Sequence, residues 1–352
     1  MYTGTLYLGG LVGYNCNRVN ANTSNLMGDI NNCRNYGSFL VGQDESKPVI
    51  FNNVGLAGIC ARFQWGGISY CDNYGEFKVK ATHADAFKSG YYSHNNYSTW
   101  EGYLTNSTNG LAFFSVGGIA TFAQSNMDVG VDFLELNNYA TMNVEVSSQF
   151  DFGEEGALFY ADNTAICVGG VMGLMGANAK NPRFTQCSNM GNIRVKSNKT
   201  SAEVFVGGVI GKTASNRNVK DGDFYSVRGC ANTGKVEFVT DAPETTVSHV
   251  GGVVGGAVAG IFSSCLNAGA INNASTHAQS NTAAIVGCFH LSNIGYKNVT
   301  ADPMAEVTTA SVGGSINGVV LDELNYNEYV HGAIEYPDMK FYTGENAFFA
   351  YE

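Results

Sequence analysis

The sequence contains little charge, little proline and no long apolar run. Charged residues make up 14% of the chain and there are five prolines, whereas an average globular domain has roughly 25% charged residues. The longest apolar stretch, Val250 to Phe262, is rich in glycine and too short to span a bilayer. The net charge of −11 disfavours binding to nucleic acid or to an anionic membrane. We therefore expect no nucleic-acid partner and no direct membrane insertion.

Sequence motifs of the common catalytic and metal sites are also missing. There is no phosphate-loop motif, no H-E-x-x-H and no G-x-S-x-G, and the six histidines have no ligand spacing. Lysine and arginine total only 19, which disfavours a lyase, because its acidic polysaccharide substrate favours a basic groove. The sequence therefore predicts no catalytic residues, no metal and no cofactor.

The nine cysteines form no C-x-x-C pair, and their number is odd. Five occupy the same position of an internal repeat: Cys33, Cys71, Cys187, Cys230 and Cys265. Equivalent residues of stacked repeats lie above one another, so we predict a column of small buried side chains and not a disulfide framework. The other four lie off this column, and a bridge among them remains open: Cys16, Cys60, Cys167 and Cys288.

What the chain does have is a repeat rich in its 44 glycines. An apolar-Gly-Gly-apolar-apolar-Gly segment is followed some 20 residues later by Cys-x-Asn-x-Gly-x-apolar. The clearest copies begin at Val168, Val206 and Val250. More degenerate copies extend the array to about eight units. Repetition with a period of a few tens of residues is typical of solenoids.

The second half of each repeat alternates strictly between apolar and polar residues. In one copy Cys230, Val236 and Phe238 share a parity, while Lys235 and Glu237 share the other. A period of two predicts strands with one buried face. Each unit then offers three short strands: the Gly-Gly strand, the Cys strand and the strand after Asn-x-Gly.

Asparagine at a fixed place on the buried parity predicts a corner between strands. Its amide can bond the backbone of a tight bend and tolerate a left-handed conformation. The following glycine would supply positive φ or room for the next coil. Stacking predicts a ladder of six residues: Asn35, Asn73, Asn138, Asn189, Asn232 and Asn267.

These features predict an all-β fold, a parallel, right-handed β-helix of about eight coils with loop insertions and a C-terminal cap. A β-sandwich is the alternative, but it does not explain a column of identical residues. The helix would span residues 1–320, with insertions at about 80–115 and 145–165. Residues 321–352 lose the repeat and are predicted to form a cap or a junction to another domain.

The V-G-G-V-x-G and C-x-N-x-G-x-I pattern resembles the GLUG-type repeats of large surface proteins of Bacteroidetes. The similarity covers nearly the whole chain, although it depends on short motifs. It implies export to the cell surface or outside the cell and an adhesin-like role, but supplies no catalytic residues. No signal peptide is visible, and the repeat starts at Leu8. We therefore expect the chain to be part of a longer exported protein.

Two insertions that are longer than the other connections indicate where a binding site would lie. They follow Cys71 and Leu136 at the same phase of adjacent coils, so they should protrude side by side from one face. The candidate ligand-binding residues are four aromatic residues and three acids: Tyr91, Tyr92, Tyr97, Trp100, Asp151, Glu154 and Glu155. Aromatic rings with a few acids suit sugar binding. A mini-core that only holds the two loops together is the simpler interpretation.

The acids of the second insertion allow other interpretations. Asp151, Glu154 and Glu155 lack EF-hand spacing, so solvated surface acids are favoured over a calcium site. The function we predict is a non-enzymatic, adhesin-like β-helix that presents a loop face to a glycan or to a host or bacterial surface protein. The alternatives are a carbohydrate-active enzyme that uses Glu154 or Glu155, and a passive stalk of a larger surface protein. The oligomeric state is not predictable from these features.

Overall fold

The computed structural model describes part of the chain. The described residues are 5–15, 28–44, 46, 50–51, 53–63, 66–83, 113–123, 131–148, 165–175, 182–197, 203–213, 226–257, 261–289, 306–311, 315–316, 319–320 and 340–343. They form 36 strands and no helix. Among them, accordingly, no helical segment has the length and hydropathy needed to cross a bilayer.

The strands follow one another in stacked coils. The first coil contains β1 (Thr5–Gly9), β2 (Val12–Asn15), β3 (Ile30–Asn31), β4 (Arg34–Asn35) and β5 (Phe39–Val41). The short β6 (Ile50–Phe51) precedes the second coil, which contains β7 (Asn53–Ala57), β8 (Cys60–Phe63), β9 (Gly67–Ser69), β10 (Asp72–Asn73) and β11 (Phe77–His83). The third coil contains β12 (Phe113–Gly117), β13 (Ala120–Ala123), β14 (Asp132–Leu134), β15 (Asn137–Asn138) and β16 (Met142–Ser148).

The later coils repeat this order. The fourth contains β17 (Ala165–Gly169), β18 (Met172–Met175), β19 (Arg183–Thr185), β20 (Ser188–Asn189) and β21 (Ile193–Ser197). The fifth contains β22 (Glu203–Gly207), β23 (Ile210–Lys212), β24 (Ser226–Arg228), β25 (Ala231–Asn232) and β26 (Val236–Thr240). The sixth contains β27 (Ser248–Gly251), β28 (Val254–Ala257), β29 (Ile261–Asn267) and β30 (Ile271–Asn273). The seventh contains β31 (Asn281–Ala283), β32 (Val286–Phe289), β33 (Glu306–Ser311), β34 (Ser315–Ile316) and β35 (Val319–Val320), and β36 (Lys340–Thr343) follows it.

Equivalent strands of successive coils pair in parallel and build five ladders along the rod. Ladder 1 is β1-β7-β12-β17-β22-β27-β31, and ladder 2 is β2-β8-β13-β18-β23-β28-β32. Ladder 3 is β3-β9-β14-β19-β24-β29, ladder 4 is β4-β10-β15-β20-β25-β29, and ladder 5 is β5-β11-β16-β21-β26-β30-β34. Beyond them β33 pairs with β29 and β36 pairs with β33, both in parallel. The predicted parallel β-helix is confirmed, and the described residues form seven coils and the further strand β36 where the sequence predicted about eight coils; the handedness stays a prediction.

The coil has five strands where the sequence predicted three. The predicted Gly-Gly strand is two strands, because the chain bends sharply at Gly-Gly between ladders 1 and 2. The other missed strand, in ladder 3, precedes the Cys position. In five coils the residue directly after this strand has a left-handed φ, and the chain bends there. These residues are Asn32 (φ 55), Tyr70 (φ 56), Glu135 (φ 51), Gln186 (φ 54) and Gly229 (φ 60).

The asparagine ladder is confirmed. Each amide Nδ2 donates to the Oδ1 of the asparagine in the next coil at 2.7–2.9 Å, and it also donates to the backbone oxygen two residues on. The predicted left-handed conformation at these asparagines is wrong, because the positive φ lies just before the Cys position. The glycine of Asn-x-Gly supplies room: a Cβ on Gly269 would overlap the carbonyl oxygen of Gly234. Ala140 holds this place in the third coil, so the restriction is not absolute.

The interior divides into two apolar cores on either side of the asparagines. One core lies between ladder 2 and ladders 3 and 4 and contains Met172, Phe184 and the cysteine column. The other lies between ladders 1 and 5 and contains Val168 and Val195. Aromatic rings stack from coil to coil in both, with ring centroids 4.6 Å apart for Phe39–Phe77 and for Phe133–Phe184.

The cysteine column is confirmed as a set of stacked, unbridged side chains. Cys71, Cys187, Cys230 and Cys265 are buried and Cys33 is half-buried, and Leu136 fills the place in the third coil. Cys187 Sγ donates to Phe133 O at 3.5 Å. Off the column, Cys60, Cys167 and Cys288 are also free thiols, whereas Cys16 lies outside the described residues. The bridge that the sequence left open is therefore not formed among those three.

A third interior, which we call the seam, lies between the opposite faces of ladders 1 and 2. It contains Cys167 and Phe205 of ladder 1 and Leu174, Lys212 and Cys288 of ladder 2. Lys212 is almost fully buried, and its Nζ lies 4.2 Å from the centroid of the Phe205 ring. In the first two coils the Arg62 guanidinium lies 5.2 Å from the Tyr7 centroid and 4.7 Å from the Tyr14 centroid. The faces of these strands that point away from the two cores are thus buried as well.

Candidate functional site

The two long insertions leave and rejoin the scaffold at adjacent positions. His83 at the end of β11 pairs with Ser148 at the end of β16, and Phe113 at the start of β12 pairs with Ala165 at the start of β17. The hydroxyls of Thr82 and Ser147 lie 3.0 Å apart at these anchors. Both insertions therefore connect ladder 5 to ladder 1 in neighbouring coils. That they protrude side by side stays a prediction.

The predicted ligand-binding side chains are in the insertions themselves. All seven lie outside the described residues: Tyr91, Tyr92, Tyr97, Trp100, Asp151, Glu154 and Glu155. Their role stays a prediction. The predicted cap at 321–352 likewise lies outside the described residues, except for β36, which continues the stack by pairing with β33.

The outer face of ladder 5 leads directly into both insertions. In-register pairing places Lys78, Asn143 and Arg194 in one row across three coils, and it places Lys80 and Glu145 in the next row. These rows line a shallow depression of about 260 Å³, whose lining residues are Gln43, Lys78, Val79, Lys80, Asn143, Val144, Glu145 and Arg194. The depression lies at the foot of the insertions because β11 and β16 form it and then run into them.

The charges of this face form exposed ion pairs. Arg194 Nε lies 3.3 Å from Glu237 Oε2, and Lys78 Nζ lies 3.7 Å from Glu76 Oε2. The hydrogen bond that Lys235 donates to Glu237, helped by the nearby Arg194, lowers the pKa of this carboxyl below its usual range. Lys78 and Arg194 are about half-exposed, and exposed pairs of this kind contribute about 0–1 kcal/mol each. A ligand can therefore compete for them.

A stack of exposed tyrosines borders ladder 5 on its other side. Ring centroids are 4.9 Å apart for Tyr36–Tyr74 and 4.7 Å apart for Tyr74–Tyr139, and the rings are nearly parallel. All three are exposed, as is Met190 in the fourth coil. These residues occupy the variable place in Asn-x-Gly. Tyrosine at that place in three successive units was the signal for an aromatic row. We call the outer surface of ladder 5, with its depression and this bordering row, the ladder-5 face.

Other parts of the described structure offer less access to a ligand. Cys167, Lys212 and Cys288 of the seam are almost completely buried. Among the described residues, His, Cys, Asp and Glu form no group of three placed to hold a metal ion. The ladder-5 face combines charged, amide and aromatic groups with exposure.

Comparison with protein-family models, with curated proteins and with solved structures found no match for this chain. The resemblance to GLUG-type repeats therefore stays a prediction. The assignment of a function depends on the geometry of the ladder-5 face and of its insertions.

Proposed function

We propose that this chain is a non-enzymatic, extracellular or cell-surface β-helix that presents the ladder-5 face and its two insertions to a glycan or to a surface protein. The observation that carries the proposal is the pairing of the insertion anchors, His83 with Ser148 and Phe113 with Ala165. The ends of two long segments are thereby anchored next to each other on a paired sheet. Binding residues tend to collect on loops that a rigid scaffold positions.

The surface at the foot of the insertions supports the same proposal. Its depression offers ammonium, guanidinium, amide and carboxylate groups, which can bond the hydroxyls of a sugar or the polar groups of a protein. The tyrosine stack adds exposed aromatic edges and hydroxyls, and tyrosine is enriched in protein recognition surfaces. A passive stalk needs none of these groups on one face.

The test removes the insertions and keeps the coils. In register, Ala81 pairs with Val146 and Val146 with Ser197, while Phe113 pairs with Ala165 and Ala165 with Glu203. Residues 198–202 of the fourth coil therefore make the same connection in short form. Replacing 82–112 and 147–164 with copies of 198–202 should keep the β-helix, which circular dichroism and thermal melting would verify.

The wild type and this double graft are then compared on a glycan array and against surface proteins of candidate host or bacterial cells. We expect the wild type to bind and the graft to lose that binding. As a matched control, 198–202 is replaced by Gly/Ser residues, which alters the same corner of the fourth coil and should leave binding unchanged. Equal binding by the folded graft would refute the proposal.

The same samples separate the alternatives. Release of reducing ends from a polysaccharide panel, abolished by Glu154→Gln or Glu155→Gln, would indicate a carbohydrate-active enzyme in place of a binding protein. No binding and no activity for the wild type would indicate a passive stalk.

A further inference from the structure

We propose that the depression on the ladder-5 face binds the carboxylate of an acidic sugar, a uronic acid unit of a glycan. This inference rests on the proposed function and specifies its ligand. It starts from the contrast between the chain, with a net charge of −11, and the depression, whose lining has three cations and one carboxylate: Lys78, Lys80, Arg194 and Glu145.

The strand register creates this concentration of positive charge. Lys78 and Lys80 are on β11, and Arg194 is on β21, two coils further along. The pairing of Lys78 with Asn143 and of Asn143 with Arg194 aligns them across the sheet. Asn143 thus lies between two cations, where its amide can donate to and accept from sugar hydroxyls. A ligand that meets this row encounters a cation on both sides of a neutral polar group, and each cation is half-exposed and paired with one protein carboxylate.

The competing protein carboxylates do not block such a ligand. Glu76 lies 3.7 Å from Lys78 across exposed side chains, and Glu237 is also hydrogen-bonded to Lys235. An Arg194 guanidinium has five N–H donors in a planar fork, so it can bind a second carboxylate while Glu237 remains near its Nε. The sparse lysine and arginine of the whole sequence disfavoured an acidic polysaccharide as a substrate. The fold brings three of these few cations together in the depression, so the low overall content does not exclude binding of an acidic glycan.

Size and direction also fit a sugar unit. A depression of about 260 Å³ lies below the range of roughly 300–1,000 Å³ that is typical of pockets for drug-sized ligands, so it suits one ring and not a whole oligosaccharide. Coils repeat every 4.7–4.9 Å along the rod. An extended glycan that runs along the rod would therefore pass Lys78, Asn143 and Arg194 in successive coils.

The experiment uses the full chain and two probes, an oligogalacturonate and its carboxyl-reduced neutral counterpart, in isothermal titration calorimetry. We expect the wild type to bind the acidic probe with an affinity that falls as salt rises, and to bind the neutral probe about tenfold or more weakly. Lys78→Gln combined with Arg194→Gln should weaken binding of the acidic probe by about tenfold or more.

The matched control removes two cations elsewhere, with Arg183→Gln and Arg228→Gln. Both are on ladder 3, where Arg183 pairs with Asp132 and Arg228 Nε donates to Ser226 Oγ. The control should retain affinity to within about twofold, since it changes net charge equally but leaves the depression intact. Thermal melting of each variant shows whether it is folded.

The outcomes separate this inference from the proposed function. Equal affinity for the neutral probe, or an unchanged affinity in the folded depression variant, overturns the inference. If the wild type binds only neutral glycans or proteins through the insertions, the proposed function stands and the inference of an acidic-sugar site fails. If the insertion graft still binds the acidic probe while the depression variant does not, the inference stands and the role of the insertions fails.

Discussion

The side chain of Asn138 packs against the backbone of Gly118 in the same coil, so closely that a Cβ on Gly118 would lie 2.6 Å from Asn138 Cγ. The same contact recurs between Gly58 and Asn73. It explains why the Gly-Gly segment and the Cys-x-Asn-x-Gly segment always occur together. The asparagine side chain fits only against a bend whose residues have no side chains. The glycine bend in turn leaves a space in the middle of the coil, and the asparagine side chain fills it.

Substituting Asn138 with alanine should destabilise the protein strongly. The change removes the acceptor of Asn73 Nδ2 and the donor to Asn189 Oδ1, bonds of 2.9 and 2.8 Å in a buried row. With a cavity added to two unpaired buried groups, we expect a loss of about 3–5 kcal/mol in the free energy of unfolding, measured in urea. Asn35→Ala is the control, because that residue ends the described ladder and should cost about half as much. Equal losses would contradict a cooperative ladder.

Alanine should not be tolerated at Gly208, the second glycine of the bend in the fifth coil. A Cβ on Gly208 would overlap the carbonyl oxygen of Gly252 in the next coil as well as the Asn232 side chain. We expect Gly208→Ala to cost about 3 kcal/mol or more, or to prevent folding. Gly13→Ala is the matched control, since its Cβ would meet only Tyr7 O at 3.4 Å and Ala61 occupies the equivalent place. A comparable melting temperature for the two variants would refute the steric explanation.

Alkaline pH should weaken the fold through its buried thiols. Burial raises the pKa of Cys167 from 9.0 to about 12, and the neutral thiol is therefore favoured in the folded state. The unfolded chain ionises first, so the contribution of Cys167 to the free energy of unfolding is complete below about pH 9 and is lost as pH rises toward 12. Cys167→Ala should lower the free energy of unfolding near pH 8 by about 1 kcal/mol. At higher pH the free energy of unfolding of this variant should fall less steeply than that of the wild type.

Urea midpoints at about pH 8 and 10.5 test this, with Ser115→Ala as the control. Ser115 pairs with Cys167 in the same ladder and does not titrate in this range, so its variant should decline in parallel with the wild type. Parallel decline of the Cys167→Ala variant as well would show that this thiol does not contribute to the alkaline loss.

Replacing Lys212 with methionine should stabilise the protein. The effective cost of burying an ammonium is several kcal/mol, and the contact with the Phe205 ring at 4.2 Å returns about 2 kcal/mol. Methionine keeps the length and the apolar contacts, so we expect a gain of about 1 kcal/mol. Lys235→Met, at an exposed pair with Glu237, should change stability by less than about 0.5 kcal/mol. A lower melting temperature for Lys212→Met would show that its charge stabilises the fold.

The repeat made most of the architecture predictable. Identical residues at one phase indicated stacking, so the cysteine column and the asparagine ladder followed from the sequence. The five-strand coil did not, because the left-handed bend before the Cys position has no common side chain: Asn32, Tyr70, Glu135, Gln186 and Gly229 share only their backbone conformation. That conformation is imposed by the coil and not by local preference, since only asparagine and glycine favour it.

The seam and the ladder-5 face depend on packing that a linear pattern does not contain. Phe205 and Lys212 are on different strands, and only the sharp bend at Gly-Gly brings these faces of ladders 1 and 2 together. Lys78 and Arg194 are far apart in sequence, and the lengths of the intervening insertions conceal that they share a row. Their proximity follows from the register alone.

The amide-to-amide bonds of the asparagine ladder all have the same sense, with the donor in the earlier coil and the acceptor in the later one. Their dipoles therefore add along the axis. The rod has chemically distinct ends, so that at one end a further coil would have to offer an amide donor and at the other an acceptor. Growth or duplication of such a structure by whole coils preserves this polarity, whereas inverting a coil would break it at both neighbours.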